Sequence, residues 1–171
     1  MRKALEKAVF YVNKPNTIYD HEGREPYLSR YHLLRQRKST DGEHPYDKYG
    51  RPKSNIVRPK RCSLVLHHFH KSDSTKKFHN HGWTFGLSFI LAGGYIEERL
   101  IGDEVVKRVV KPFSFVFFRP HHFHRVELID ESCWTVLLHG PRKNEWYYKS
   151  PGEQEVVPWD SHVKLEKSVI G

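Results

Sequence analysis

Three histidines carry the first chemistry this sequence suggests. His79 and His81 stand two apart in Phe78-His79-Asn80-His81. On an extended strand, where side chains alternate faces, both imidazoles therefore point the same way. Two nitrogens then face one point, where a metal ion can take both. First-row metals in protein sites usually take three or four ligands. His124, which follows Arg119-Pro120-His121-His122-Phe123, offers the third. Neutral imidazole suits iron, zinc, copper or nickel, and a set of three leaves positions open for water, substrate or dioxygen. The plainer alternative is three strand histidines, each hydrogen-bonded to a partner of its own.

The elements that must hold these residues read as short strands. The run after His81 keeps the same parity, with Trp83, Phe85, Leu87, Phe89 and Leu91 on the histidine face and Thr84, Gly86 and Ser88 opposite, until Gly93-Gly94 turns the chain. Ser63 to His70 alternates as well, with Val65, His67 and Phe69 on one face and Leu64, Leu66, His68 and His70 on the other. Tyr95 to Ile101 and Glu104 to Val110 flank Gly102-Asp103, a two-residue turn between strand formers and the strongest hairpin signal in the chain. Glu97 or Glu98 in that hairpin could reach in, although a hairpin more often exposes such residues. Tyr27 to Leu34 reads as an entering strand, and Ser114 to Arg119, Arg125 to Ile129 and Trp134 to His139 complete the series. Short strands with turn signals between them predict an all-β barrel or sandwich. A short helix is expected over Met1 to Phe10, and Arg142 to Gly171 is expected to pack across the barrel as a C-terminal extension.

A chain of 171 residues suits one domain, here with a barrel core over about 62–141. Two cysteines, Cys62 and Cys133, lie far apart with no Cys-x-x-Cys pairing, which indicates neither a disulfide framework nor a thiolate zinc site and fits a reducing cytoplasm. Glu6 and Lys7 interrupt the only apolar stretch near the start, so no signal peptide is expected there. No run approaches the ~20 apolar residues of a membrane helix. The net charge is +9. Between Arg35 and Arg61 nine Lys or Arg stand against three acids, so most of the excess sits in one Pro- and Gly-punctuated loop. Such a loop can serve a phosphate-bearing partner, nucleic acid or nucleotide, although a solvated basic loop is the plainer reading.

His-x-His from one strand and a lone histidine from another resembles the two-motif signature of the cupin superfamily, small jelly-roll barrels that hold a metal among histidines. Cysteine dioxygenase and its thiol-dioxygenase relatives look most similar. Eleven residues separate His81 from Gly93, His124-Arg125-Val126-Glu127 is similar to the second metal motif, and His139 falls fifteen positions after His124, where that family keeps a histidine beside the metal. Uncharacterised phage and bacterial cupins also look similar, with Pro26-Tyr27-Leu28-Ser29-Arg30-Tyr31 upstream and Val157-Pro158-Trp159 near the end.

The resemblance implies a divalent ion, Fe2+ ahead of Zn2+, Ni2+ or Mn2+, held by His79, His81 and His124. Many cupins add a glutamate about five residues after the His-x-His, but this neighbourhood reads Phe85-Gly86-Leu87. The shell is then neutral, which favours an anionic substrate at the metal. His139 and Arg125 are the catalytic candidates, and Arg61, Trp83, Phe85 and Arg119 the candidates for substrate binding. Arg30 joins the arginines whose planar fork could grip a carboxylate or phosphate. Leu137 and Pro141 stand where the thiol dioxygenases hold a serine and a tyrosine, which argues against free cysteine as substrate. The resulting expectation is a metal-binding cupin, monomeric or homodimeric, acting as an iron-dependent dioxygenase on a small anionic or thiol substrate. Two alternatives remain: a non-catalytic module that binds a nucleotide, sugar or metabolite, and a metal-independent sugar-nucleotide epimerase using a His/Tyr acid-base pair.

Overall fold

A computed structural model describes residues 15–19, 25–33, 62–73 and 75–158. The expected N-terminal helix, the basic 35–61 segment, Arg61 and Trp159 lie outside these residues. Among the described residues the fold is all-β, the cupin-type jelly roll that the two histidine motifs led us to expect. One sheet runs in the order β1 (Asn16–Tyr19), β2 (Pro26–His32), β3 (Ser63–Phe69), β10 (Cys133–His139), β5 (Gly86–Ala92), β8 (Phe115–Phe118). The other runs β12 (Val157–Pro158), β11 (Tyr147–Lys149), β4 (Phe78–His79), β9 (Phe123–Leu128), β6 (Tyr95–Ile101), β7 (Glu104–Val110). All neighbours pair antiparallel.

Alternation along the strands sends one face inward and packs the two sheets together. Ile90, Val116 and Leu137 from the first sheet meet Tyr95, Val110 and Val126 from the second in one buried cluster. The outer face of the first sheet has a smaller cluster, Leu66, Ala92 and Trp134, with the Tyr31 ring stacked on Trp134 at 6.1 Å. The β6–β7 hairpin has the bounds its turn predicted, with Gly102 at φ 63°. The tail is drawn into the second sheet, where Tyr148 of β11 pairs with His79 of β4.

One expectation is corrected. The run from Phe78 to Leu91 is two strands in different sheets. β4 ends at His79, the chain turns a corner over Asn80–Phe85, and β5 then joins the first sheet. The corner is tied down by Asn80, whose Nδ2 donates to the Pro120 carbonyl at 2.9 Å and whose Oδ1 accepts from the Tyr147 amide at 2.7 Å. The parity of the histidines therefore does not carry into β5. Gly86, Ser88 and Ile90 are buried on one face, while Leu87, Phe89 and Leu91 are half-buried on the other. A register shift opposite Trp134/Thr135 then turns Ala92 outward beside Trp134 although Ile90 points inward, because an extra residue in one strand swaps the faces beyond it.

Gly93, which ends β5, has φ 74°, and a Cβ there would run into the Ser132 carbonyl oxygen. Gly93→Ala should cost about 1–3 kcal/mol of stability from strain at a left-handed position, measured as a lowered midpoint in urea unfolding. Unchanged stability would show that the turn relaxes.

Candidate metal centre

His79 and His124 are directly opposed in the β4–β9 ladder, so their side chains leave neighbouring strands on one face. His81 arrives from the corner instead. Its ring stacks on Trp83 at 4.3 Å with 14° between planes and meets the edge of Phe118 at 5.5 Å. The ligand atoms of the three imidazoles lie within 4.8 Å of one another. The Nε2 atoms of His81 and His124 stand 2.9 Å apart. Without metal, one nitrogen donates its proton to the other. Two nitrogens bound to one ion at ~2.0–2.1 Å and roughly a right angle also stand about 2.9 Å apart, so the donor set fits a divalent metal.

The ionisation states suit the same use. Burial, opposed by Asp73 and reinforced by His124 and Arg30, pulls the pKa of His79 down to about 4. Burial and the neighbouring histidines hold His81 well below the usual imidazole range. Both rings are neutral at pH 7, with a lone pair to give.

Two carboxylates, Glu97 and Asp73, stand behind this triad; the sequence reading gave Glu97 only the lesser chance of reaching in and did not single out Asp73. Glu97 has no exposed surface, because β6 lies between β7 and β9 and its side chain points into the barrel. His124 Nδ1 sits 3.2 Å from its Oε1, off the line of a straight hydrogen bond. Arg99 Nε reaches the same oxygen at 3.0 Å, and Arg108 Nε donates to Oε2. Burial alone would raise the pKa of Glu97. The His124 contact and the two arginines outweigh burial and hold it at about 2. Glu98 is also buried, on the outer face, between Lys107 at 2.6 Å and Arg125 at 3.2 Å. Asp73 lies in the polar turn after β3. Its Oδ2 accepts from the Val126 amide at 2.6 Å and lies 3.9 Å from His79 Nδ1, while Oδ1 accepts from the Tyr27 hydroxyl. Carboxylates behind ligating histidines fix which ring nitrogen faces the metal and raise ligand basicity. The three-histidine shell is neutral in itself, and of the two carboxylates behind it Glu97 is already paired with Arg99 and Arg108, so the expectation of an anion at the metal stands.

The triad opens onto a cavity of about 140 Å³ between the sheets. Trp83 lines it, as do Trp146 and Tyr148 from the tail. Of the arginines considered for anion binding, Arg30 lines it. Arg125 points away from it, toward Glu98, because it alternates with His124 and Val126 along β9. Arg119 is exposed near the Phe117 ring at 5.9 Å. Phe85 packs toward Gly140, outside the cavity lining. His139 is buried and reaches the centre only through Trp83, on which it stacks at 4.6 Å, while its Nδ1 bonds the Gly140 carbonyl at 2.9 Å. Arg125, Arg119 and Phe85 thus lie outside the lining of this cavity.

No protein-family model and no curated protein matches the sequence. Solved structures resemble it in fold. One, of the DMSP lyases RdDddP and RnDddQII, aligns at 12% identity over 81% of this chain and 62% of that one, with a TM-score of 0.50. Hydroxypropylphosphonic acid epoxidase from S. wedmorenis aligns at 10% identity over 75% and 56%, TM-score 0.48. An oxalate decarboxylase variant from Bacillus subtilis aligns at 10% over 48% and 22%, TM-score 0.41. The chain spans less than two thirds of each of these structures. The likeness is one of fold and does not single out the thiol-dioxygenase branch. Fold and site together define a cupin-type barrel whose three-histidine centre suits a divalent metal. No helix among the described residues is long and apolar enough to cross a membrane.

Glu97→Gln keeps the shape and removes the charge. Metal affinity should fall by about 10 to 100-fold, measured by competition with a chelator. Because the folded pKa of Glu97 is about 2, below the ordinary 4.5, its stabilising effect is present above pH 4.5 and lost as pH falls toward 2. The variant should be less stable than wild type by about 3 kcal/mol near neutrality, and the gap should close in acid. A constant gap between pH 7 and pH 3 would show that the loss is one of packing.

Proposed function

We propose that this chain is a metal-dependent enzyme acting on a small anionic molecule, with His79, His81 and His124 as the metal ligands and iron as the resident ion. The observation that carries the reading is the convergence of three imidazoles, two of them held neutral by burial, on one wall of a cavity that Arg30 also lines. A ferrous ion held there would supply one-electron chemistry toward dioxygen, together with positions open to substrate.

The chain's own residues do the rest. Arg30 attracts and orients the anion, its fork matching a carboxylate or phosphonate. Its charge bears on His67, His79 and His81, so its field reaches across the cavity. Trp83, Phe118, Val126 and Leu137 form an apolar wall that excludes bulk water. Glu97 and Asp73 hold the ligand rings in position. His139 is a positioning residue in this reading, bracing Trp83 and through it His81.

Protein purified without a polyhistidine tag should contain close to one equivalent of divalent metal. His81→Ala should lose it on dialysis, since one of three ligands is gone. The iron-loaded protein should consume oxygen with a small organic acid from a screen, and chelation should stop it. Equal metal content in wild type and His81→Ala would overturn the metal assignment. Full iron occupancy with no oxygen consumption across the screen would point instead to the non-catalytic binding module.

A further inference from the structure

The wall that faces the triad has an order the metal reading does not use. Across the first sheet Arg30 pairs with His67, His67 with Thr135, and Thr135 with Ile90. Neighbouring strands lie about 4.8 Å apart, so Arg30, His67 and Thr135 form a polar row roughly 10 Å long, and all three line the cavity. Thr135 is 1% exposed, and its Oγ1 has no hydrogen-bond partner among the described residues. A buried hydroxyl without a partner is destabilising, and native interiors rarely keep one without reason.

Packing does not supply that reason. Valine has the same shape and would fill the place without the penalty. Thr135 also sits where the β10–β5 register shifts, between Trp134↔Ala92 and Thr135↔Ile90. Bulges near sites re-aim a side chain. Here Trp134 packs into the outer cluster while Thr135 lines the cavity, two strands along the row from Arg30.

We infer that Thr135 is a specificity-determining residue that reads an oxygen on the substrate other than its acid group, so that the cavity takes small hydroxy and oxo acids in preference to plain acids. This deepens the proposed function and rests on it in one respect, the acid group held by Arg30. A hydroxyl can donate to a carbonyl oxygen or accept from a hydroxyl, so both kinds of acid satisfy it. The scale of the cavity fits acids of a few carbons. A site with a buried polar group waiting for a partner rejects the analogue that lacks it, because the group is then left dry and unpaired.

The test is calorimetric binding of lactate, pyruvate and propanoate to wild type, Thr135→Val and Arg30→Gln, with and without metal, alongside metal content and melting temperature. Wild type should bind lactate and pyruvate at least about tenfold more tightly than propanoate. Thr135→Val should bind all three with similar affinity, keep its metal, and melt higher than wild type because the unpaired hydroxyl is gone. Arg30→Gln should weaken all three acids together.

The preference persisting in Thr135→Val would overturn the inference, since the metal alone would then read the oxygen. No preference in wild type, or no binding of any of the three acids, would overturn it too. So would a lower melting point for Thr135→Val, which would show the hydroxyl already partnered inside the fold. If the preference is present and depends on Thr135 while no metal is retained, the metal reading falls and the Thr135 assignment stands. If metal is retained and no preference appears, the reverse holds.

Discussion

The structure depends most on a carboxylate with no access to water. Glu97 lies between His124, Arg99 and Arg108, and an ionised group there is tolerable only because all three partners are in place. The consequences spread from it. Arg108 reaches Glu97 from the edge strand β7, and His124 reaches it from β9, so one side chain ties the register of three strands. Arg99 also donates to the Phe117 carbonyl at 2.8 Å, linking the same cluster to β8 of the other sheet. His124, whose Nδ1 faces Glu97, turns its Nε2 toward His81.

The centre is therefore built from outside inward. Asp73 fastens the turn after β3 to β9 through the Val126 amide and stands behind His79. Ser72 adds a second tie, accepting from the Leu128 amide at 2.9 Å. His81 lacks a carboxylate of this kind among the described contacts and is held by rings instead, in a stack that runs from His81 through Trp83 to His139. A charged brace fixes two of the imidazoles and a packed one fixes the third. Arg99 and Arg108 balance Glu97, while Asp73 is held by the Val126 amide and the Tyr27 hydroxyl.

Much of this was legible in the sequence. The hairpin 95–110 could be bounded because a Gly-Asp pair sits between alternating strand formers, and His79, His81 and His124 were found because a metal needs several donors at short range. The carboxylates were not singled out, although one of them could have been. Counting back from the Gly102-Asp103 turn sets Glu97 opposite Arg108 and on the face of Arg99, so the pairing of these charges across the ladder was readable. Asp73 gave no comparable sign, since a polar turn looks the same whether or not one of its side chains reaches a strand distant in sequence. Parity failed at 80–91 for a related reason. Alternation describes a strand, and nothing in Asn80-His81-Gly82-Trp83 announces that the strand ends and changes sheet. The arginines sorted by face alone: Arg125 faces out because His124 faces in, and Arg30 faces in because β2 pairs with β3 at His67.

In the proposed function these three imidazoles hold one divalent ion. Crystals of the protein, purified without a tag and loaded with Fe2+, should be measured on both sides of the iron absorption edge. One strong anomalous peak is expected, bonded to His79, His81 and His124, with the cavity on its open side. A peak at other residues, or none at this site from protein that carries iron, would contradict the assignment.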